Sequence, residues 1–235
     1  MNDKLKEIYD SSIDFWNKAQ IYSEEELKDC EKDDWKNIGS ESLFSLINKS
    51  VEGFNRDAKV LDYGCGTGWL DVILSKNDFT NVKSVDVACN AVESAKLYSK
   101  AFECDSLIDY EVVDVDWISN QDEKYYDYAF CINVLDVVPN EVSKSIIENV
   151  AKVCKPGACV IFAMNPYFTE AMRNREGCEY DDPYFYVNGI LRVNNHTDAE
   201  WQTMLSKYFE VEALEHFKWD GEQADRRRFF ILKVK

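Results

Sequence analysis

Short apolar runs alternate with amphipathic stretches along most of the chain after residue 40. Within the stretches, apolar residues recur every three or four positions, which predicts helices, whereas the runs themselves have the length of strands. Five strands are predicted in this way, at residues 59–63, 82–87, 109–113, 126–132 and 159–164. Strands that alternate with helices form parallel sheets covered on both faces. The pattern therefore predicts an α/β fold with a doubly wound sheet.

Local signals set the predicted helix boundaries. One helix is predicted over residues 40–52 and another follows the first strand at about residues 68–76. Asn90 and Asn140 each precede an apolar-periodic stretch and are predicted to cap its helix. Pro156, which precedes a glycine, is predicted to stop the helix that Asn140 opens.

The last segment of the chain does not continue the alternation of strands and helices. Thr197, with Glu200 three residues later, has the sequence of a capping box and opens a short helix. Two apolar runs follow at residues 209–218 and 227–234 without a helix between them, so they are predicted to pair antiparallel. The seven runs together predict a seven-stranded, mostly parallel sheet with an antiparallel last strand.

An aromatic-rich insertion, residues 165–197, lies between the fifth predicted strand and this helix. Within it, Asn188-Gly189 stands between two apolar runs, which is typical of a type I′ hairpin. An excursion of this length in a compact domain is usually functional. Structural cover for an edge of the sheet is the alternative interpretation.

Residues 1–39 precede the alternation and are predicted to form a helical arm, or lid, on a domain that comprises residues 40–235. Ser23 and Glu26 form a second capping box, which opens a short helix. The aromatic residues of the arm include Tyr9, Trp16 and Tyr22. They are expected either to pack on the domain or to close over a ligand.

Composition narrows the classes of partner. Acidic residues outnumber basic ones 44 to 27, for a net charge of −17, and such a field repels phosphate backbones, so nucleic acid is not expected as a partner. The eight cysteines include no C-x-x-C pair and only two histidines accompany them, so no metal site is expected. A charged start and the lack of a long apolar run predict a cytoplasmic protein without a signal peptide or membrane span.

A glycine turn follows the first predicted strand. Asp62, Gly64, Gly66 and Gly68 stand at a strict spacing of two, and an amphipathic helix begins directly after them. Trp69 occupies the position at which a phosphate-binding loop needs lysine and a dinucleotide fingerprint read from Gly64 needs glycine. The turn is therefore interpreted as a site for another nucleoside-type ligand.

This turn, with acids at the ends of the next two strands, resembles the first motif of the class I S-adenosylmethionine (SAM)-dependent methyltransferases, and the small-molecule members in particular. The resemblance covers about residues 40–235. It implies that SAM is the cofactor, with S-adenosylhomocysteine as its product. The residues that it implies for SAM binding are Asp62, Gly64, Cys65, Gly66, Asp86, Val87, Asp114, Val115 and Asn133.

In such an enzyme the methyl group moves by in-line displacement, so aligning the reactants matters most. His196 is the candidate general base, and a helix-entry residue bonded to backbone is its alternative interpretation. The acceptor is expected to be a small molecule. The aromatic residues predicted to wall its pocket are Tyr9, Trp16, Tyr22, Tyr167, Tyr184 and Tyr186. Acidity together with aromatic rings gives the hypothesis of a cationic or amine acceptor.

Two other functions stay open from the sequence. One is a catalytically silent SAM-binding subunit that regulates a partner, and the other is a methyltransferase for tRNA or protein. A nicotinamide-dependent oxidoreductase comes last, because the turn lacks the glycine that it requires. Monomer and homodimer are not distinguished.

Overall fold

The computed structural model describes residues 3–19, 21–30, 34–38, 40–173 and 176–235, without the side chain of Ala19. The strands are β1 (Val60–Tyr63), β2 (Val82–Asp86), β3 (Ile108–Val112), β4 (Tyr126–Ile132), β5 (Cys154–Met164), β6 (Cys178–Asp181), β7 (Tyr184–Val187), β8 (Ile190–Asn194), β9 (Phe209–Phe217) and β10 (Arg227–Val234). The α-helices are α1 (Asp3–Ala19), α2 (Glu24–Leu27), α3 (Glu41–Val51), α4 (Trp69–Lys76), α5 (Cys89–Ala101), α6 (Asn140–Val153), α7 (Glu170–Arg173) and α8 (Asp198–Leu205).

Seven strands form one sheet in the order β3-β2-β1-β4-β5-β10-β9. The pairs among β1 to β5 are parallel, while β10 runs antiparallel to both of its neighbours, β5 and β9. The strand order reverses direction at β1 and β4, which is where open α/β sheets place ligands. The predicted doubly wound, seven-stranded sheet with an antiparallel last strand is confirmed.

The fifth strand begins earlier than predicted. β5 starts at Cys154, immediately after α6 ends at Val153, so that Pro156 lies inside the strand. The register with β4 shifts there: Cys154 pairs with Tyr126, but Cys159 already pairs with Tyr128. Extra residues in one strand form a bulge, in which a proline does not interrupt the ladder.

The two capping boxes are confirmed, and the two asparagine caps are wrong. Ser23 and Thr197 each accept a hydrogen bond from the backbone of the third helical residue, whose glutamate bonds back to the cap. Asn90 and Asn140 instead lie in the first turns of α5 and α6. Both side chains form hydrogen bonds with residues outside their own helix. The Asn90 side chain donates to the backbone carbonyl of Asn17 on α1.

Helices bury an apolar core on each face of the sheet. On one face, α6 and α8 contribute residues such as Ile147 and Trp201, both almost fully buried. On the other, Leu43 and Ile47 of α3 pack with residues of α4 such as Ile73, and all three are fully buried. Burying a side chain of this size stabilises the fold by about 1.5–3 kcal/mol.

The insertion forms a separate three-stranded antiparallel sheet, β6-β7-β8. Asn188 and Gly189, between β7 and β8, have φ values of 52° and 76°. Positive φ at both central residues is the type I′ geometry, so the predicted hairpin is confirmed. Helix α1 packs on this sheet, where the buried Ser12 hydroxyl donates to the Leu191 carbonyl at 3.3 Å. No helix in the described part of the chain has the length and apolarity needed to cross a bilayer.

Candidate functional site

The glycine turn after β1 is held by backbone hydrogen bonds to the next strand. The amides of Gly64 and Cys65 both donate to the Val85 carbonyl, at 2.8 and 3.0 Å. Gly64 has φ +81°, and a Cβ placed on it would lie 2.2 Å from a methyl carbon of Val134. Both the backbone conformation and the close approach therefore require glycine at this position.

Asp86 closes the turn from the end of β2. Its Oδ2 accepts a hydrogen bond from the Gly66 amide at 2.9 Å, and its Oδ1 accepts one from the Ala88 amide at 2.8 Å. Burial raises the pKa of this carboxyl. A carboxylate has about four lone-pair sites, so Asp86 keeps acceptor capacity for a ligand.

The turn and Asp86 border a cavity of about 620 Å³ at the carboxyl ends of the parallel strands. This volume lies within the range of small-molecule and cofactor sites, about 300–1,000 Å³. The strand ends contribute Gly64, Cys65, Gly66, Val87, Val115, Asn133 and Asn165. Apolar residues of α6 and the loop before it form one wall, namely Val137, Val138, Val142 and Ile146.

Asn133, directly after β4, presents an unused acceptor at the cavity. Its backbone is left-handed, with φ 58°, and its amide donates to the Ala163 carbonyl at 2.8 Å. Its buried Oδ1 has no hydrogen-bond partner in the described part of the chain. Buried acceptors are normally paired, so this oxygen is suited to a ligand donor.

Helix α1 covers the cavity. Tyr9 and Trp16 line it from this helix, and Tyr22 lines it from the segment before α2. The Tyr22 ring stacks on Tyr98 of α5, with 5.3 Å between ring centroids. The structure thus brings the three arm aromatics to the same cavity as the glycine turn.

Asp62 lies beneath the turn and does not line the cavity. It is 2% exposed, and burial and the nearby Asp71 raise its pKa well above the usual range. Burial also raises the pKa of Asp71, whose Oδ1 accepts from the Ser84 hydroxyl. The Oδ2 atoms of both aspartates lack a hydrogen-bond partner among the described residues, and one proton shared between the two carboxyls would satisfy both.

Asp114 also lies outside the cavity lining. It is exposed, and its Oδ1 accepts from the Asp116 amide at 3.0 Å. Its neighbours Val113 and Val115 do line the cavity. The loop after β3 therefore presents apolar side chains to the cavity, while the Asp114 carboxylate accepts a hydrogen bond from the backbone of the same loop.

His196 is held away from the lining by a set of structural contacts. Its Nε2 lies 2.6 Å from Asn140 Oδ1, and its ring packs edge-on against Trp201. Burial lowers its pKa, which favours the neutral imidazole. Arg228 donates to its backbone carbonyl at 2.8 Å.

The three tyrosines expected from the insertion lie outside the lining as well. Tyr167 is exposed, and the Tyr184 hydroxyl accepts from the Asn140 amide at 3.1 Å. The rings of Tyr184 and Tyr186 pack on each other, with centroids 6.3 Å apart. The insertion supplies Arg192 of β8 to the cavity instead.

Several lining residues carry little or no local sequence signal. Arg192 lies on a short strand, and Trp219 and Arg227 border the polar connection between β9 and β10. Their approach depends on how the insertion and the last hairpin pack, which periodicity does not reveal. The one available signal for Trp219 and Arg227 is a position beside a strand end.

Comparison with known proteins agrees with this architecture. Residues 35–221 match the family described as "Methyltransferase domain". A ubiquinone biosynthesis O-methyltransferase of Idiomarina loihiensis is 32% identical over 105 residues, which are 45% of this chain and 41% of that protein. The PH0226 protein from Pyrococcus horikoshii superposes with a TM-score of 0.69 at 19% identity, over 83% of this chain and 89% of that one. Magnesium protoporphyrin IX methyltransferase from Synechocystis, with bound S-adenosylhomocysteine, gives 0.61 at 15% identity, over 82% and 83%.

The chain belongs to the methyltransferase domain family, since the match covers most of its length. It has the Rossmann-like methyltransferase fold that these structures share. The chain spans about half the length or less of the curated relatives that head the comparison.

Proposed function

We propose that this protein transfers a methyl group from SAM to a small-molecule acceptor bound in the cavity described above. The observation that carries the proposal is the glycine turn, bonded to Asp86, at the edge of a cavity of about 620 Å³. Family membership supports the reaction class. The name of the Idiomarina relative makes an oxygen nucleophile the first acceptor class to test.

The residues at the turn fit SAM. Gly64 and Gly66 line the cavity with backbone alone, so a ligand can approach the turn closely there. Asp86 would accept from the ribose hydroxyls, Val87 and Val115 would pack on the adenine, and the unpaired Asn133 oxygen would accept from the ammonium group. When bound, SAM supplies an electrophilic methyl group on a sulfonium.

We propose that the remaining contribution of the chain is alignment and exclusion of water. Helix α1 covers the cavity with Tyr9 and Trp16, and a dry site favours dispersal of charge during methyl transfer. Burial raises the pKa of both Tyr9 and Tyr63 well above the usual range, so these lining phenols stay neutral. Because His196 lies outside the lining, a role as general base is not part of this proposal.

We also propose that residues 1–39 act as a lid on the domain of residues 40–235. The support is that α1 contacts both the insertion and α5 while it covers the cavity. Asn17 joins it to α5, where Asn90 donates to the Asn17 carbonyl at 2.9 Å. A lid of this kind closes over both substrates together.

A reducing compartment, the cytoplasm, suits the cysteines of this chain. All eight are free, and three of them, Cys104, Cys131 and Cys154, are buried in the apolar core as small hydrophobic side chains. The net charge of −17 continues to argue against a nucleic-acid acceptor.

The proposal is tested by ligand binding and then by turnover. Thermal unfolding is measured with SAM, S-adenosylhomocysteine or NAD at about 100 times the expected Kd, at which a single-site ligand stabilises the fold by about 2.7 kcal/mol. We expect stabilisation by the first two ligands and none by NAD. Release of S-adenosylhomocysteine with a panel of phenols, carboxylic acids and amines then tests transfer. Stabilisation by NAD alone, or by none of the three ligands, would overturn the proposal.

A further inference from the structure

The cavity contains a cation that has no counter-charge within the described part of the chain. Arg192 lines it from β8, and its guanidinium carbon lies 4.2 Å from the ring centroid of Phe15 and 5.2 Å from that of Trp16. Its buried Nε has no hydrogen-bond partner, and no carboxylate of the described residues forms an ion pair with it. An arginine keeps its positive charge even when burial lowers its pKa, as it does here.

The other two arginines of this region are neutralised. Arg227 forms an ion pair with Glu222 at 2.8 Å, and the fully buried Arg228 forms one with Asp198 at 2.6 Å. Of these three arginines, Arg192 is thus the one that forms no ion pair with a carboxylate of the described residues, in a chain with 44 acidic residues. Arg192 is half-buried, and even partial removal of a cation from water is costly unless an anion or several acceptors compensate it.

A second donor in the same cavity is also unused. The indole Nε1 of Trp16 is buried and has no hydrogen-bond partner among the residues that the structure describes. Both orphaned groups are donors, and both belong to residues that line the cavity. The complementary ligand group is an acceptor that carries negative charge.

We propose that Arg192, assisted by the Trp16 indole, binds a carboxylate of the methyl acceptor. This rests on the proposed function and specifies its substrate class as organic acids. The planar guanidinium can donate two parallel hydrogen bonds to a carboxylate, and the rings of Phe15 and Trp16 hold its plane. The apolar wall of Val138, Val142 and Ile146 faces the same cavity and suits the hydrocarbon part of such an acid.

The arrangement argues against the cationic acceptor suggested by composition. The aromatic faces of Phe15 and Trp16 already hold the cation of the protein itself, so an amine there would meet like charge. SAM also carries a carboxylate, which is the other source of the same chemistry. We assign Arg192 to the acceptor because it projects from the small sheet, whereas the residues proposed for SAM stand at the ends of β1 to β4.

The test measures binding rather than turnover. Protein saturated with S-adenosylhomocysteine is titrated with 1-naphthoate and with 1-naphthamide, which differ in charge but hardly in shape. We expect naphthoate to bind at least about 10-fold more tightly, since charge-assisted hydrogen bonds are roughly twice as strong as those between neutral groups. Arg192→Gln should abolish this preference, Arg192→Lys should keep part of it, and Trp16→Phe should weaken it while the ring stays in place.

The control variant is Arg173→Gln. Arg173 also lies over an aromatic ring, with its guanidinium carbon 4.0 Å from the Tyr180 centroid, but it does not line the cavity. We expect this variant to keep the naphthoate preference, and each variant to keep the melting temperature within a few degrees. Equal binding of the two probes to the parent protein, or a preference that survives Arg192→Gln, would overturn the proposal.

A separate titration with S-adenosylhomocysteine alone distinguishes the two sources of the carboxylate. If Arg192→Gln weakens this binding by the same factor as naphthoate binding, Arg192 serves the donor and the proposal fails. If the protein does not bind S-adenosylhomocysteine, the proposed function fails instead. The preference for naphthoate is then measured on the free protein, where the same outcomes decide the role of Arg192.

Discussion

Substituting Gly64 by alanine should destabilise the protein for two reasons that can be separated. The left-handed backbone, φ +81°, costs an alanine about 1–2 kcal/mol. The new methyl group would also lie 2.2 Å from Val134 Cγ2, and overpacking of this kind costs about 1–3 kcal/mol. We therefore expect Gly64→Ala to lower the free energy of unfolding by about 2–5 kcal/mol.

Gly189→Ala is the matched control. Gly189 has a similar φ, +76°, but nothing lies within 4 Å of the Cβ that the substitution would add. Both variants lose chain entropy in the unfolded state to the same extent, so this contribution cancels between them. The difference between the two, about 1–3 kcal/mol, should equal the cost of the overlap with Val134.

Urea unfolding followed by circular dichroism measures both values, and a double-mutant cycle completes the test. Val134→Ala removes the methyl group that Gly64→Ala would meet, so the double variant should be more stable than additivity of the two substitutions predicts. If Gly64→Ala is no more destabilising than Gly189→Ala, or if the two substitutions at the turn are additive, the close packing of the turn against Val134 is not what requires glycine.

Three further outcomes are expected. Asp86→Ala should weaken SAM binding about 10- to 100-fold in calorimetric titration, since it removes charge-assisted hydrogen bonds. Asp114→Ala should change the affinity for SAM by no more than a few-fold. Equal losses of affinity would contradict the different placement of the two acids. Arg228→Met leaves without a donor the Asn165 and His196 carbonyls that the buried guanidinium contacts, and it should cost about 1–3 kcal/mol in urea unfolding; an unchanged free energy of unfolding would contradict a stabilising role for these hydrogen bonds. Burial raises the pKa of Asp71 to about 7, so its contribution to stability is present below about pH 4 and is lost as the pH rises to about 7. Asp71→Asn should flatten this fall in the unfolding free energy, and an unchanged slope would contradict it.

Periodicity was sufficient for the order and type of the main elements. The apolar runs at residues 126–132 and 227–234 coincide with β4 and β10, because a buried strand needs continuous apolar sequence. Capping boxes at Ser23 and Thr197 were equally local, since each closes within one helical turn. Asn90 and Asn140 show the limit of that reasoning, because a side chain that has a tertiary partner need not cap its own helix.

The sequence also contained enough to predict that the glycine turn and Asp86 lie together at the carboxyl edge of the sheet. The glycine turn and Asp86 follow adjacent strands, and parallel strands present their carboxyl ends at one edge of a sheet, so proximity of the two followed from strand order. The tertiary structure alone decided which further residues face the cavity. Arg192 and Trp219 reach the cavity through long-range packing. Asp114 and His196 were equally plausible site residues from the sequence, but their side chains bond to other groups of the protein. Spacing along the chain determines which residues meet within one turn or one helix. Only the packing of the insertion and the arm on the domain determines which distant residues meet at the cavity.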